Sequence, residues 1–350
     1  MATLILTGGG TAGHVMPHLA LLPYLKNDFD KIYYIGSKNG MEKSIIQKTD
    51  IKYFSVSCAK LQRRFTFKNL SIPFALLTGI KEAGKILDAL KPNVIFSKGG
   101  YVSLPVIFAA KKRRIPIIAH ESDYSLGLAN KISAKYCEQV LTAFPEPAKT
   151  LKNGLFVGAP LRDLLFTAQK SESLKYFRLS GKKPIVLVTG GSLGANAINN
   201  ALRGALDNIL PNFDVLHICG KGNLSGINKK GYVEIEFTDK MNMAFCIADI
   251  CVSRAGANTV FEMASLSKPM LLIPLPKGIS RGDQVLNAEY FRKLKIADVL
   301  YQEELSPDSL TSAINVLYAK RYDLSKAYKT NPIRNGSEKI ANIIAHYKND

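Results

Sequence analysis

Hydrophobic positions along this chain fall into short runs that end in Gly or Ser and are separated by longer amphipathic stretches. The clearest runs are Thr3–Leu6, Ile32–Ile35, Val94–Phe96 and Ile115–Ala119 in the first half, and Ile185–Val188, Val215–Ile218, Ile250–Val252 and Met270–Ile273 in the second. Buried strands that alternate with helices are typical of βαβ units around a parallel sheet. The pattern therefore predicts an α/β protein with two sheets in tandem.

Each half opens with the same sequence pattern, a strand, a glycine-rich loop and a helix. The loops are Gly8-Gly9-Gly10-Thr11-Ala12-Gly13 and Gly190-Gly191-Ser192-Leu193-Gly194. Ligands of open α/β sheets bind beyond the carboxyl ends of the strands, so two such loops predict a cleft between two domains that handles phosphate. We expect domains at 1–160 and 161–335, with the boundary near Gly158-Ala159-Pro160. A charged helix at 336–348 could dock on either domain, including back on the first.

Composition narrows the class of partner. The 350 residues carry a net charge of +19, which favours nucleic acid, anionic lipid or a nucleotide. Five cysteines without a CxxC pair indicate a reduced cytosolic setting. Since we find neither a charged leader nor a run of 18 apolar residues, we expect neither export nor a spanning helix.

The glycine loops allow three interpretations. Gly8-x-Gly10-x-x-Gly13 fits a dinucleotide site, but the second strand ends in Lys38 rather than the acidic residue that holds the ribose of NAD, which leaves NADP as a disfavoured alternative. Gly190-x-Ser192-x-Gly194 fits a hydrolase nucleophile elbow, yet neither His217 nor His346 is well placed for a triad. The glycines could also simply close tight turns.

Several chemistry-bearing residues lie near predicted strand ends. His14 follows the first loop at a helix start, where the local field keeps the imidazole neutral and able to accept a proton. Glu121 and Asp123 follow the Ile115–Ala119 strand, which places carboxylates at the cleft rim, although a capped helix start explains them equally well. Arg162 at the boundary suits a phosphate or fixes the linker.

The second half offers groups for a nucleotide and a sugar. Ser253-Arg254-Ala255-Gly256 opens a helix whose first amides could hold a diphosphate, while Glu262 on that helix could reach a ribose diol. Gln284 and Asn287 form a polar cluster suited to sugar hydroxyls, and a solvated loop is the alternative.

Seven motifs, taken together and in this order, resemble the MurG family of bacterial glycosyltransferases. They are Gly9-Gly10-Thr11-Ala12-Gly13-His14-x-x-Pro17, Lys98-Gly99-Gly100-Tyr101-Val102-Ser103, His120-Glu121-Ser122-Asp123, Gly158-Ala159-Pro160-x-Arg162, Gly190-Gly191-Ser192-x-Gly194-Ala195, Ser253-Arg254-Ala255-Gly256-Ala257 and Gly282-Asp283-Gln284. The family adds N-acetylglucosamine to undecaprenyl-pyrophosphoryl-N-acetylmuramyl-peptide, known as lipid I. The sequence departs from the commonest family form at Ala12, which replaces a Gly, and at Asp123, where many members have Asn.

The resemblance implies the GT-B architecture, two Rossmann-like domains with parallel sheets facing a central cleft. It implies that UDP-N-acetylglucosamine binds mainly to the second domain, lipid I mainly to the first, and that the product is lipid II for peptidoglycan synthesis. The implied donor contacts are Arg162, Ser192, Phe237 (to uracil, through its backbone), Ala257, Asn258, Thr259, Glu262, Gln284 and Asn287. The loop residues Thr11, Ala12 and Gly13 would face the acceptor and the transferred sugar. Asp123 is a further implied substrate contact, although an aspartate in place of Asn cannot supply the amide contact to the sugar that the family form implies.

The implied reaction is an inverting displacement that forms a β-1,4 bond and releases UDP. His14 is our first candidate for the base and Glu121 is the rival. We expect no metal and no cofactor, because amides at helix N-termini can meet the charge that develops on the diphosphate. Alternatives are another GT-B transferase with a different UDP-sugar or acceptor, or a basic nucleic-acid-binding module, which lacks a recognition motif here.

A lipid acceptor requires a membrane contact, and residues 60–90 interleave basic with aromatic and aliphatic side chains. The candidate contacts with an anionic membrane surface are Arg63, Arg64, Phe65, Lys68, Phe74 and Leu77. Core packing with a solvated basic face is the alternative. The expected location is peripheral, on the cytoplasmic face of the bacterial plasma membrane.

Overall fold

The computed structural model describes residues 1–59, 72–191, 194–278, 281–330 and 335–349. The chain divides into two compact units. The N-terminal unit comprises Met1–Arg162 together with Asn335–Asp350, and the C-terminal unit comprises Asp163–Arg334.

Within its described residues, the N-terminal unit is built on a seven-stranded sheet in which neighbouring strands pair in parallel. The strands are β1 (Thr3–Thr7), β2 (Lys31–Ser37), β3 (Lys52–Val56), β4 (Val94–Ser97), β5 (Ile117–Glu121), β6 (Gln139–Thr142) and β7 (Gly154–Phe156). Their order across the sheet is β3-β2-β1-β4-β5-β6-β7. The register pairs Leu6 on the central strand β1 with Tyr34 on β2 and with Phe96 on β4.

Helices cover both faces of this sheet. They are α1 (Met16–Leu25), α2 (Met41–Ile46), α3 (Ile72–Leu90), α4 (Ser103–Arg113), α5 (Leu128–Ser133) and α6 (Pro145–Lys149). Because side chains alternate between the faces of a strand, Leu4 and Leu6 enter the core under α1, whereas Ile5 enters the core under α3 and α4. A strand buried on both faces must be apolar at successive positions, which is why β1 shows as a continuous hydrophobic run.

The C-terminal unit repeats the design with a six-stranded sheet among its described residues. Its strands are β8 (Ile185–Thr189), β9 (Asp214–Ile218), β10 (Tyr232–Ile235), β11 (Ile250–Ser253), β12 (Met270–Leu272) and β13 (Ala297–Val299), in the order β10-β9-β8-β11-β12-β13. Its helices are α7 (Lys170–Phe177), α8 (Asn196–Ile209), α9 (Met241–Ile247), α10 (Ala257–Ser265), α11 (Asp283–Lys293) and α12 (Pro307–Thr330). Leucine and isoleucine side chains of α8 and α12 share one core with strands β8, β9 and β11.

The terminal helix α13 (Ser337–Ala345) belongs to the N-terminal unit, where it packs on α1. Ile340 and Ile344 enter the same core as Leu4 and Leu6. The backbone amide of Leu161 donates to the Ser337 hydroxyl over 3.0 Å, which ties the start of this helix to the end of the unit. None of the described helices is both long and apolar enough to cross a membrane.

Both sheets reverse their strand order beside the first strand, between β1 and β4 and between β8 and β11. Such a switch point is where a doubly wound fold forms its ligand crevice, beyond the carboxyl ends of the strands. Both glycine loops therefore occupy the position in their own unit where a ligand is expected. The predicted architecture of two Rossmann-like units is confirmed.

Candidate active site

The C-terminal unit carries a pocket of about 420 Å³ at the carboxyl edge of its sheet. The lining residues are Gly190, Gly191, Gly194, Ala195, Asn196, Ser253, Arg254, Gly256, Thr259, Leu275 and Gln284. They come from the ends of β8 and β11, from the starts of α8, α10 and α11, and from the segment after β12. Amides at helix N-termini are donors without helical partners and attract anions, so the pocket suits a phosphate group.

Close packing fixes the glycine loop after β8. Gly194 has φ +75°, and a Cβ atom there would lie 2.2 Å from the carbonyl oxygen of Cys219. The Gly194 amide donates to the Gly191 carbonyl over 3.0 Å. Only glycine fits this conformation and this space, so close packing fixes the chain at Gly194, just before α8 begins. The predicted contact Ser192 lies outside the described residues.

Arg254 holds the wall of the pocket between β11 and α10. The side chain is largely buried, and Nη1 donates to the carbonyls of Ile273 (3.1 Å) and Pro274 (3.3 Å) while Nη2 donates to the Gln302 amide oxygen. Burial lowers the pKa of the guanidinium. Arg254 is hydrogen-bonded to the segment that follows β12 and to Gln302. These bonds stabilise the loop before α10, and this loop positions the first amides of that helix.

The predicted donor contacts on α10 and nearby loops occupy different environments. Thr259 lines the pocket, Asn258 and Glu262 are half-buried, and Ala257 is buried so that it offers only its backbone. Phe237 follows β10 and is 66% exposed. An aromatic side chain so exposed contributes little to the core.

Two polar residues of α11 that sequence reasoning grouped together are placed differently. Gln284 lines the pocket, and its Oε1 accepts from the Leu275 amide over 3.1 Å, which orients Nε2 as the donor of that side chain. Asn287 was grouped with Gln284 in a polar cluster for sugar hydroxyls, and its burial excludes the alternative of a solvated loop at this residue. It is fully buried and donates to the Ala255 carbonyl over 3.1 Å, because a position one turn into α11 faces the loop after β11.

In the N-terminal unit, the first glycine loop leads through a 3-10 turn, Ala12–His14, into α1. The Nδ1 atom of His14 lies 3.1 Å from the Thr11 hydroxyl, which orients the half-buried imidazole. A Cβ atom on Gly100 would lie 3.3 Å from the same Nδ1 and 2.3 Å from the Gly9 carbonyl oxygen. The predicted acceptor-side residues are accessible, Thr11 being exposed and Ala12 and Gly13 half-buried.

Glu42 is a buried carboxylate at this loop that the sequence pattern did not single out. Its Oε2 accepts from the Gly10 amide (3.3 Å), and its Oε1 accepts from the Ser37 amide (3.0 Å). The Glu42 carboxylate thus occupies the Gly10 amide, one of the loop amides that would have to bind the phosphate of a dinucleotide. Lys38, the candidate for a 2′-phosphate, instead pairs with Glu82 over 3.0 Å. Neither contact favours the NADP interpretation.

Glu121 does not lie at the rim of a cleft, where the sequence predicted it. Strand β5 extends beyond the apolar run to include His120 and Glu121, which pair with Leu141 and Thr142 on β6. Glu121 is therefore buried instead of lying at the rim. Its carboxylate accepts from the amides of Asp123 (3.1 Å) and Gly127 (2.8 Å) and from the Asn130 side chain (2.9 Å). Its hydrogen bonds hold the loop that carries the half-buried Asp123.

Other predicted residues fall outside these clusters. Arg162 is half-buried at the end of the first segment of the N-terminal unit. Phe74 and Leu77 lie on α3 and are 73% and 59% exposed. The remaining membrane candidates, Arg63, Arg64, Phe65 and Lys68, lie outside the described residues.

An Asp-x-Asp pair, a spacing that can bridge a divalent cation to phosphates, occurs at Asp28 and Asp30. The pair lies just before β2, at the amino edge of the N-terminal sheet. Asp28 pairs with Lys348 over 2.7 Å, and Asp30 accepts from the Ala2 amide over 2.6 Å. These contacts give the pair a structural role.

Solved structures share this fold over nearly the full chain. The crystal structure of Acinetobacter baumannii MurG superposes with a TM-score of 0.78 at 23% identity, covering 99% of this chain and 100% of that one. The glycotransferase of kitacinnamycin gives a TM-score of 0.76 at 16% identity, covering 99% of each chain. The fold is that of the GT-B glycosyltransferases.

Family models and relatives narrow the class. The glycosyltransferase family 28 N-terminal domain matches residues 4–142, and the family 28 C-terminal domain matches residues 185–344. A Clostridium tetani protein named UDP-N-acetylglucosamine--N-acetylmuramyl-(pentapeptide) pyrophosphoryl-undecaprenol N-acetylglucosamine transferase is 45% identical over 349 residues, 98% of each chain. A Clostridium novyi protein of the same name is 43% identical over 351 residues, 99% of this chain and 98% of that one. The chain belongs to glycosyltransferase family 28, within its MurG branch, as its motifs predicted.

Proposed function

We propose that this protein transfers N-acetylglucosamine from UDP-N-acetylglucosamine to the 4-hydroxyl of the muramyl sugar of lipid I, forming the β-1,4 bond of lipid II and releasing UDP. One observation carries the proposal. The chain is 45% identical, over 98% of both lengths, to a relative whose name gives the donor, UDP-N-acetylglucosamine, the acceptor, N-acetylmuramyl-(pentapeptide) pyrophosphoryl-undecaprenol, and the transferred N-acetylglucosamine. The pocket of helix N-termini in the C-terminal unit supports the donor half of the reaction.

The donor diphosphate binds in the pocket of the C-terminal unit. The first amides of α8 and α10 meet its charge, with Ser192, Ala257, Asn258 and Thr259 around it. Glu262, one turn into α10, accepts from the ribose diol. The backbone at Phe237 contacts uracil, and Gln284 donates to a sugar hydroxyl. Arg162 is a further donor-site cation.

The N-terminal unit supplies the base and binds the acceptor. His14 Nε2 takes the proton of the acceptor hydroxyl while the hydroxyl oxygen attacks the anomeric carbon. The bond to the UDP oxygen breaks with its electron pair, so the configuration at that carbon inverts. Thr11 orients the imidazole through Nδ1. Glu121 is the weaker candidate because two amides of the following loop and the Asn130 side chain on α5 already donate to its carboxylate. Asp123, in that loop, faces the acceptor and the transferred sugar.

Leaving-group stabilisation in this scheme rests on backbone amides, Ser192 and Arg162. Preorganised donors aimed at developing charge commonly provide the largest part of catalysis. We therefore propose a reaction without a resident metal or cofactor.

The lipid acceptor places the protein on the cytoplasmic face of the plasma membrane as a peripheral protein. Phe74 and Leu77 on α3 enter the headgroup boundary, and Arg63, Arg64, Phe65 and Lys68 extend the contact to anionic lipid. The high exposure of the two α3 side chains supports this assignment.

The test is incubation of the full chain with UDP-N-acetylglucosamine and a lipid I analogue, with chelator present, followed by analysis of products. We expect equal amounts of UDP and of a disaccharide with a β-1,4 bond. Transfer from a different UDP-sugar only, or to a different acceptor only, would replace this proposal with another GT-B activity. A reaction that starts only when a divalent cation is restored would contradict the metal-independent mechanism.

A further inference from the structure

Lys98 is a buried lysine that directly follows β4. It lies between the loop that carries His14 and the loop after β5 that carries Asp123. Only 2% of the residue is exposed. Its Nζ donates to the Ser122 hydroxyl over 2.8 Å and to Nδ1 of His120. Removing an ammonium group from water costs free energy, and hydrogen bonds to buried acceptors offset part of that cost. A lysine as buried as Lys98 is therefore uncommon, and its two side-chain acceptors suggest that it has a specific role.

The partner histidine fixes the direction of these hydrogen bonds. The His120 Nε2 lies 3.0 Å from the Gly158 carbonyl oxygen, which only accepts, so Nε2 carries the proton and Nδ1 accepts from Lys98. Burial and the nearby Lys98 charge hold the pKa of His120 well below its usual range, consistent with this neutral tautomer. Lys98 thereby connects, through His120, to the Gly158 segment that precedes Arg162.

The stem of Lys98 also packs against the glycine loop that carries His14. A Cβ atom on Gly8 would lie 3.2 Å from Lys98 Cβ, 3.0 Å from the His14 carbonyl oxygen and 3.3 Å from His18 Nε2. The loop therefore packs directly against the stem of the lysine, with little space between them. One side chain contacts both the His14 loop and the His120–Asp123 segment.

The charged groups that face Lys98 come from three elements. His18 on α1 and His120 on β5 are both neutral because burial lowers their pKa values, that of His18 to about 3. Glu121 at the end of β5 and Asp123 in the following loop favour the ammonium form. Burial outweighs both carboxylates and lowers the pKa of Lys98 to about 7.

We propose that Lys98 is a positioning residue for the transfer reaction, since its Nζ and stem hold the His120–Asp123 segment against the loop that carries His14. This inference rests on the proposed function, in which His14 is the base and Asp123 faces the acceptor. Lys98 itself touches no substrate. The ammonium form is the competent one, because it alone attracts the Glu121 and Asp123 carboxylates.

The kinetic test compares Lys98→Met, which keeps the stem and removes the charge and donors, with Lys98→Arg and with the exposed control Lys152→Met. We expect Lys98→Met to lower kcat at least tenfold, while UDP binding to the full chain changes by less than twofold. In the native protein kcat should decline as the pH rises through about 7, where Lys98 loses its proton. Lys98→Arg, which keeps a positive charge, should remove that decline.

A second measurement does not depend on activity. We expect hydrogen exchange at the Asp123 and Gly127 amides, which bind Glu121, to accelerate in Lys98→Met and to stay unchanged in Lys152→Met. If Lys98→Met does not fold, Ser122→Ala removes one acceptor only and should give a smaller loss of kcat with the same unchanged UDP binding.

These measurements distinguish failure of the proposed transfer function from failure of the positioning role of Lys98. A native protein without transfer activity would overturn the proposed function, and hydrogen exchange would still decide whether Lys98 holds the segment. Native-like kcat and native-like exchange in Lys98→Met would overturn the role of Lys98. An equal loss of kcat and UDP affinity would also overturn it, because it would indicate general damage.

Discussion

Gly194→Ala tests whether the loop after β8 forms the donor site. The added Cβ would lie 2.2 Å from the Cys219 carbonyl oxygen, whereas real Cβ contacts essentially never fall below 3.0 Å. The loop or the end of β9 must then move by roughly 1 Å, and forced overpacking of this kind costs about 1–3 kcal/mol. The residue must also keep a left-handed backbone with φ +75°.

Gly226→Ala provides a matched control. Gly226 has the same φ, +75°, but nothing lies within 4 Å of an added Cβ. The left-handed conformation costs an alanine about 1–2 kcal/mol, and the lower entropy of the unfolded chain returns about 0.4–1 kcal/mol. We therefore expect a loss of about 1 kcal/mol for Gly226→Ala and about 2–4 kcal/mol for Gly194→Ala.

The assays are denaturant unfolding of the full chain and calorimetric titration with UDP. A displaced loop should lose at least one hydrogen bond to the diphosphate, worth about 1.5–3 kcal/mol with a charged acceptor, which lowers UDP affinity at least tenfold. Gly226→Ala should bind UDP as the native protein does. Native UDP affinity in a folded Gly194→Ala protein would refute the placement of the diphosphate at this loop.

Three further predictions concern the N-terminal unit. His14→Ala should lower kcat by about 10²–10⁴-fold with UDP affinity unchanged, as removal of a general base does, and unchanged turnover would exclude His14 from that role. Replacing both Phe74 and Leu77 with serine should weaken sedimentation with anionic vesicles at least tenfold, whereas Tyr322→Ser, at a side chain 67% exposed on α12, should not; equal effects would contradict a specific contact. Burial lowers the pKa of His18 to about 3 in the folded state, so between pH 6.5 and pH 3 mainly the unfolded chain binds this proton. The free energy of unfolding should therefore decrease by about 1.4 kcal/mol for each unit by which the pH falls from about 6 to about 4. The denaturation slope over that range should become shallower in His18→Gln, and an unchanged slope would exclude His18 as its source.

The central strands were readable from sequence because burial on both faces makes them continuous apolar runs. Each predicted run coincides with or overlaps a strand, as Thr3–Leu6 does with β1. The edge strands β3, β7, β10 and β13 were not predicted because they are partly exposed. The interior strand β6 was also not predicted, because it is four residues long and its apolar pair is flanked by Gln139 and Thr142. The run at Ile115–Ala119 misplaced the end of β5, since His120 and Glu121 pair with β6 despite being polar.

Residue types at the site were more predictable than their environments. From sequence alone, a carboxylate or amide side chain is expected to face solvent. Glu121 and Asn287 are buried instead, because a loop amide and a loop carbonyl, respectively, provide hydrogen-bond partners for them. Glu42 was missed for the same reason, because the loop amide that it binds lies on another element and no local spacing signals it. Lys98 begins one of the seven family motifs, but its partners lie on another element, so the sequence assigned it no role. His14 and Gln284 were identified because a glycine-rich motif or a strand end accompanies each one.

A crystal structure with UDP-N-acetylglucosamine bound would show where the donor diphosphate lies. We expect the diphosphate against the first amides of α8 and α10, with Gln284 at the sugar and the anomeric carbon open to attack by the acceptor hydroxyl. A diphosphate bound instead to the Gly8–Gly13 loop, where Glu42 already accepts from the Gly10 amide, would contradict this placement.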